Sequence, residues 1–266
     1  MKIIDILKQD TLSMSFEVFP PKTDAAFDSV KTATEEIAAL SPSFMSVTYG
    51  AGGGTSAYTL EIARNIEAMK AAGIHNVMAL RGDLTPELEG ADRSNWPYRY
   101  AVDLIRELVE SGGDFCIGGA CYPEVHPESV NQKEDIAHIK AKVEAGCQFL
   151  TTQMFFDNNL FYNFMYKIRE AGITVPIIPG IMPITAANQV ERAVKLSGSF
   201  MPQRFKSLVD KFGHSPAAMK QAGIAYATDQ IIDLYANGVT NIHVYTMNKP
   251  DVAAQIQRNL SDILGK

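Results

Sequence analysis

Residues 115–154 read FCIGGACYPEVHPESVNQKEDIAHIKAKVEAGCQFLTTQM. Phe115–Cys121 is a short apolar run, and Glu134–Ala145 carries helical periodicity. Gly146 offers the left-handed conformation that closes a helix, and Phe149–Met154 is a second short apolar run. The stretch is therefore strand, loop, helix, glycine and strand, the unit that places two strands parallel in one sheet.

The unit repeats outward in both directions. Strands are predicted at Ser15–Phe19, Phe44–Thr48, Asn76–Leu80, Val175–Pro179 and Asn241–Tyr245, besides the two just quoted. Helix-period stretches at Ala26–Ala39, Tyr98–Glu110 and Leu160–Ala171 lie between them. Gly73, Gly112, Gly172 and Gly238 stand where helices should stop, as Gly146 does. No G-x-G-x-x-G follows the first strand, which disfavours an open dinucleotide-binding sheet. The predicted fold is α/β, a TIM-type parallel βα barrel occupying residues 1–266 as a single catalytic domain. Seven strands are recognisable where a closed barrel of this type has eight.

The chain has 266 residues, 46% hydrophobic and 20% charged, which is ordinary for a water-soluble globular fold. Net charge is −6 and the pI is near 5.4, the wrong sign for a nucleic-acid surface. No apolar run approaches the ~20 residues that span a bilayer, and Met1–Thr11 lacks the apolar core of a signal peptide. A cytoplasmic enzyme is the expectation. Cys116, Cys121 and Cys147 form no C-x-x-C pair and are read as reduced, buried thiols.

In such folds chemistry gathers where strands end. Those ends carry Glu17–Lys22, Thr48–Gly54, Leu80–Asp83, Cys121–Glu128, Thr152–Asp157, Pro179–Pro183 and Tyr245–Lys249. They are rich in polar groups, whereas the strand bodies are apolar. Glu17 lies in an apolar run, where an ionised carboxylate is costly. It is either half of a buried ion pair or a carboxylic acid with a raised pKa. The Gly50 and Gly52–Gly54 cluster forms a turn or admits a flat ring or phosphate close to the backbone. Arg81 and Asp83 hold a polar ligand or cap a helix. His126 is either exposed or functional, and Phe155-Phe156 reads as wall. Glu17, Asp83, His126 and Asp157 lack metal-ligand spacing, so no metal site is assigned. Lys249 sits past the last strand in a polar loop, which disfavours a Schiff-base lysine.

Taken in order, these strings resemble the methylenetetrahydrofolate reductase family. The matching segments are Ser15–Lys22, Ser46–Ala51, Ala79–Asp83, Tyr122–Pro127, Thr152–Asp157, Ile178–Pro183 and His243–Asn248. The resemblance implies a flavin-dependent barrel in one-carbon metabolism, on the way to methionine. NADH or NADPH reduces FAD, which passes hydride to 5,10-methylenetetrahydrofolate and makes 5-methyltetrahydrofolate.

Carried over by position, Glu17 matches the general acid that opens the folate's five-membered ring to an iminium. Asp83 matches the acid that tunes the flavin and favours the cation. Thr48, Tyr49, Ala51, Arg81, Gly82, Asp83, Tyr100, Ala101, Tyr122, His126, Ser129, Asp135, His138 and Lys142 fall on FAD-contact positions. Arg81 and Lys142 would meet the pyrophosphate. Glu17, Gln153, Gln189 and Lys249 fall on substrate positions. The chain departs from the family in two places. Lys249 replaces the usual arginine, turning a fork-shaped contact into a point charge. Between Tyr49 and Ala79 one βα unit is absent, with its FAD-contacting His-Leu-Thr string. One helix, Thr55–Ala72, joins the flanks, with Tyr58, Ile62, Ile66 and Met69 as its apolar stripe. The expectation is closure by pairing of the strands at Phe44 and Asn76. The implied partner is a small folate, with a homo-oligomer possible and no nucleic acid or membrane. The alternative is a relic of the family that binds flavin or folate, or serves a partner complex, without turnover.

Overall fold

The computed structural model describes residues 1–21, 23–48, 66–82 and 98–265. Strands are β1 (Ser13–Val18), β2 (Met45–Val47), β3 (Asn76–Ala79), β4 (Cys116–Cys121), β5 (Phe149–Thr152), β6 (Ile177–Ile178), β7 (Gly180–Ile181) and β8 (Asn241–Tyr245). Helices are α1 (Ile3–Leu7), α2 (Phe27–Ala39), α3 (66–71), α4 (Ala101–Glu110), α5 (Gln132–Glu144) and α6 (Asn158–Glu170). They continue as α7 (Asn188–Ser197), α8 (Gln203–Phe212), α9 (Pro216–Ala236), α10 (Pro250–Asn259) and α11 (Ser261–Leu264). The five glycines expected at helix ends all have positive φ, from 66° at Gly112 to 119° at Gly146. Of the helix expected at 55–72, residues 55–65 lie outside the described residues. Ile66 and Met69 do pack against the core.

Every ladder is parallel. The orders are β2-β1-β8-β7 and β3-β4-β5-β6. The sixth expected strand is thus two short strands, divided at Pro179. Proline has no N–H to give to a ladder. Ile177 and Ile178 pair with β5, and Gly180 and Ile181 pair with β8. The Pro179 carbonyl still accepts from His243 N at 3.0 Å. Through this step the strands follow an arc whose ends are β2 and β3.

The expected pairing of β2 with β3 is not found among the described residues. Each strand occupies about 4.8 Å of a sheet's width, so omitting one leaves roughly a double spacing between its neighbours. Closing it demands a new tilt in every remaining strand. The six observed ladders hold their registers instead, and among the described residues none joins β2 to β3.

Alternation sorts the side chains. Met14, Phe16, Val18, Ile117, Leu150, Ile181, Ile242 and Val244 join one large core with the surrounding helices. On the opposite, inner face, Cys116, Phe149 and Ile178 form a separate cluster with Leu7, and Ile3, Ile4, Phe44 and Met78 pack on it. α1 therefore plugs the inner face at the strands' N-terminal ends, a role that the sequence of Met1–Thr11 did not announce. Its anchor is Asn76, whose Oδ1 accepts from Ile3 N at 2.7 Å. A third cluster holds Phe156, Ile184, Ala193, Met201, Phe205 and Met219, linking α7, α8 and α9. All three cysteines are free and buried, as expected, and burial raises the Cys147 thiol to about 11. No described helix is long and apolar enough to cross a membrane.

Candidate active site

On β1 the inner face carries Ser13, Ser15 and Glu17, alternating with Met14, Phe16 and Val18 on the core face. On β8 it carries Asn241, His243 and Tyr245. The two strands pair residue for residue from Ser13↔Asn241 to Glu17↔Tyr245, so the two polar rows lie side by side. Ser13 Oγ donates to Asn241 Oδ1 at 2.6 Å. One layer up, the His243 ring is 2.7 Å from Ser15 Oγ through Nδ1 and 3.1 Å from Ser46 Oγ through Nε2. It stacks on Phe44 and meets the edge of Tyr245. Burial holds its pKa down at about 4, so the imidazole is neutral at physiological pH.

The next layer holds Glu17. Thr48 Oγ1 donates to its Oε1, and Thr246 Oγ1 donates to its main-chain carbonyl at 2.6 Å. Burial raises the Glu17 pKa, and the Thr48 hydrogen bond opposes that rise in part. Tyr245 Oη donates to Thr152 O at 2.6 Å, and burial and the Glu17 charge push its phenol up. Of the two readings open for Glu17, the acid with a raised pKa fits these contacts. No described cation pairs with it.

The second group lies at the ends of β3 and β4 and along α5. Arg81 makes a bidentate pair with Glu128, Nη1 to Oε2 at 2.9 Å and Nη2 to Oε1 at 2.5 Å. Glu128 N donates to His126 Nδ1 at 3.0 Å, which leaves a neutral His126 with its proton on Nε2. Burial lowers the His126 pKa. Asp135 accepts from His126 N at 3.2 Å and from Ser129 Oγ at 3.4 Å, and burial raises its carboxyl. Tyr122 meets His126 edge-on at 4.5 Å, and Tyr100 stacks on His138 at 6.2 Å. Tyr100 and Ala101 begin α4, and Gly82 follows Arg81 with φ 83°. Lys142 Nζ donates to Ala120 O at 2.5 Å, and burial lowers its pKa. The expected pyrophosphate cations thus already carry protein partners.

A third group joins Gln189 and Lys249, expected at the substrate. Gln189 Oε1 accepts from Thr185 N at 2.9 Å and Ala186 N at 3.0 Å. Lys249 Nζ donates to Thr185 Oγ1 at 2.8 Å, and burial lowers its pKa. Gln153 follows β5, its Oε1 accepting from Met154 N. Tyr49, Ala51, Asp83 and the glycine cluster lie outside the described residues. Asp157 caps α6 by accepting from Asn159 N, and Phe155 and Phe156 are buried in the apolar clusters. Sequence reasoning gave no role to His243, Ser15, Ser46, Thr185 or Glu128. The first three were visible as polar residues alternating with apolar ones along strands. Thr185 and Glu128 carried no such signal.

A profile of the methylenetetrahydrofolate reductase family matches residues 2–69 and 60–261. The chain belongs to this family. The reductase 5,10-methylenetetrahydrofolate reductase of Escherichia coli K12 is 32% identical over 278 positions, covering 95% of this chain and 92% of its own. Methylenetetrahydrofolate reductase (NADH) 1 of Arabidopsis thaliana is 31% identical over 300 positions, covering 98% of this chain. The chain spans about half the length of the plant reductases, 51% for the Arabidopsis protein. An uncharacterised Clostridium thermocellum protein that binds two copies of 5-methyl-5,6,7,8-tetrahydrofolic acid shares the fold. Its TM-score is 0.58 at 15% identity, covering 98% of both chains. The alignment with the Escherichia coli reductase, at 278 positions, exceeds the 266 residues of this chain, so that relative has residues without counterparts here. The two family matches overlap at 60–69, inside the stretch expected to join the flanks of an absent unit.

Proposed function

We propose that this protein reduces 5,10-methylenetetrahydrofolate to 5-methyltetrahydrofolate with a bound flavin, on a TIM-type ring of strands open at one seam. The observation that carries the reading is the half-buried Glu17 carboxyl at the end of β1, held by Thr48, with desolvation raising its pKa. Such a group retains a proton closer to neutrality than an exposed glutamate and gives it to a basic nitrogen. Proton donation at the folate ring nitrogen opens the ring and produces the electrophilic iminium.

The second group suits an anionic dinucleotide such as FAD. It gathers Arg81, Lys142, His126 and His138 near aromatic Tyr100 and Tyr122, a donor set for phosphates and a flat ring. Arg81 and Lys142 would exchange Glu128 and the Ala120 carbonyl for pyrophosphate oxygens. FAD, when bound, supplies the hydride, received from NADH or NADPH. Asp83, following Arg81, would bias the field toward the cation. Lys249, Gln189 and Gln153 would orient the folate, with Lys249 as a point charge toward its carboxylates. Keeping the proton donor and the cofactor-binding group on different strand ends lets one substrate lie between them.

Glu17→Gln tests the assignment. Reduction of the flavin by nicotinamide should proceed at nearly the wild-type rate, while transfer to folate falls by 10² or more, the scale of lost acid catalysis. Stopped-flow absorbance resolves the two half-reactions, and equal losses in both would remove Glu17 from this role. The open seam favours a second reading, a flavin- or folate-binding protein without turnover. Its mark would be bound cofactor that nicotinamide reduces but folate never reoxidises.

A further inference from the structure

β2 is the least supported strand of the sheet. It has three residues, pairs with β1 alone and, among the described residues, has no ladder on its other edge. Yet Thr48, the next residue, donates the hydrogen bond that Glu17 accepts. A donor that sets the proton affinity of a half-buried acid must be held to about half an ångström. Among the described residues the main chain ties Thr48 through its N–H to Val18 O at 3.1 Å. Met45 packs on the large core from the outer face, and β2 is restrained from the inner face as well. There the His243 ring contacts Ser46 Oγ and lies on Phe44, 5.8 Å between centroids and 10° from parallel. Its other nitrogen engages Ser15 on β1, two residues before Glu17. A single imidazole, anchored in β8, thus links three strands one layer beneath the Glu17–Thr48 pair.

We propose that His243 is a positioning residue, which clamps β2 to β1 and β8 from inside and thereby holds the Thr48 hydroxyl on Glu17. The histidine does not itself touch Glu17; it acts through Ser46 and Phe44. A neutral ring with one donor and one acceptor nitrogen satisfies both serines at once. A leucine or phenylalanine would fill the space without registering either strand. The clamp bears on catalysis only through the acid role proposed for Glu17, but the coupling between His243 and Glu17 exists whether or not that role does.

Glu17 reports the clamp through its own titration. Among the described residues the titratable group that feels Glu17 is the Tyr245 phenol from β8, which also feels Cys121 at the end of β4 and Tyr122 just after it. Asp83 is outside the described residues. The experiment follows the side-chain carboxyl of Glu17 by ¹³C NMR in the full-length protein labelled at glutamate Cδ, with Glu17→Gln to assign the resonance. Thr48→Val removes the hydrogen bond directly and should move the midpoint up. Ser46→Ala and His243→Asn should move it the same way, and adding either to Thr48→Val should move it no further. The clamp is refuted if Thr48→Val shifts the midpoint while Ser46→Ala and His243→Asn leave it alone. It is equally refuted if their shifts add to that of Thr48→Val. Should His243→Asn not fold, Ser46→Ala, the loss of one hydroxyl, decides alone. A merely structural histidine would lower the melting temperature without moving the Glu17 midpoint. If the midpoint moves but the pH profile of folate reduction does not follow it, the clamp stands and the acid role of Glu17 falls.

Discussion

At the scale of single residues, burial shifts two neighbouring groups in ways that stability can report. Glu17 has a folded pKa above its ordinary value, so the native protein favours its neutral form. Stability from that group is complete below the ordinary glutamate range and is lost as pH rises through the folded pKa. Glu17→Gln, which cannot ionise, should therefore be more stable than wild type at high pH, with the difference vanishing toward acid. Denaturant melts across pH would show it; a pH-independent difference would contradict the burial argument. His243 has the opposite sign. Its pKa drops from the ordinary 6.5 to about 4 on burial, so the unfolded chain takes up a proton that the native protein refuses. Stability is present above 6.5 and falls as pH drops toward 4, by roughly 3 kcal/mol in all. His243→Gln should remove that part of the acid slope, whatever its effect on stability at neutral pH.

At the scale of elements, close backbone approach places the residues proposed to hold the substrate. α9 passes so near the segment after β7 that a Cβ on Gly223 would lie 1.7 Å from Ile184 O. That carbonyl adjoins Thr185, which Lys249 and Gln189 both engage. Gly223→Ala must push helix and loop apart, at about 3 kcal/mol, or roughly 10 °C in melting temperature for a chain of this size. Because the displaced loop carries Thr185, the KM for folate should rise more than the turnover number falls. Calorimetry and steady-state kinetics check the two halves, and a melting point within a degree of wild type would show that the contact relaxes freely. Gly180 marks a similar approach where the strand changes partners: a Cβ there would meet Thr152 O at 2.5 Å and the Tyr245 ring. The division at Pro179 and this glycine together carry the sheet from β5 to β8.

At the scale of the whole molecule, the open seam between β2 and β3 should cost cofactor affinity more than fold. The large core draws on every strand but the edge of β2 and on most of the helices, and none of it depends on a ladder across the seam. On the expectation that one βα unit is missing, a cofactor would lose the contacts of its strand end, and one or two hydrogen bonds at about 1 kcal/mol each weaken binding roughly tenfold. The protein should accordingly purify partly without flavin and recover activity on addition of FAD. Titration of the apoprotein by flavin fluorescence measures this, and an affinity equal to that of a relative carrying the full unit would refute the weakened site. Unpaired strand edges also invite association between chains, so light scattering at high concentration belongs beside the titration.

The sequence by itself determined what depends on local order. Apolar runs and helix-ending glycines indicated six of the seven expected strands, the helices α2, α4, α5 and α6 and the parallel sense of the sheet, because backbone conformation there answers to neighbours three or four residues away; the division of the sixth strand at Pro179 and the helices α1 and α7–α11 were not indicated. The strand-end strings fixed the family, and with it the expectation for Glu17, because chemistry in such folds is confined to those ends. Tertiary structure alone decided the rest. That no ladder joins β2 to β3 among the described residues is a matter of how the strands pack together, which no single segment encodes. That α1 plugs the inner face follows from the apolar residues of four different strands, and of Phe44 just before β2, converging beneath it. The environment of Glu17 is of the same kind. Its acidity depends on Thr48, 31 positions away, and the layer beneath it on His243, more than 200 positions away. A carboxyl's desolvation and hydrogen bonds are properties of the space around it, and folding supplies that space from distant parts of the chain.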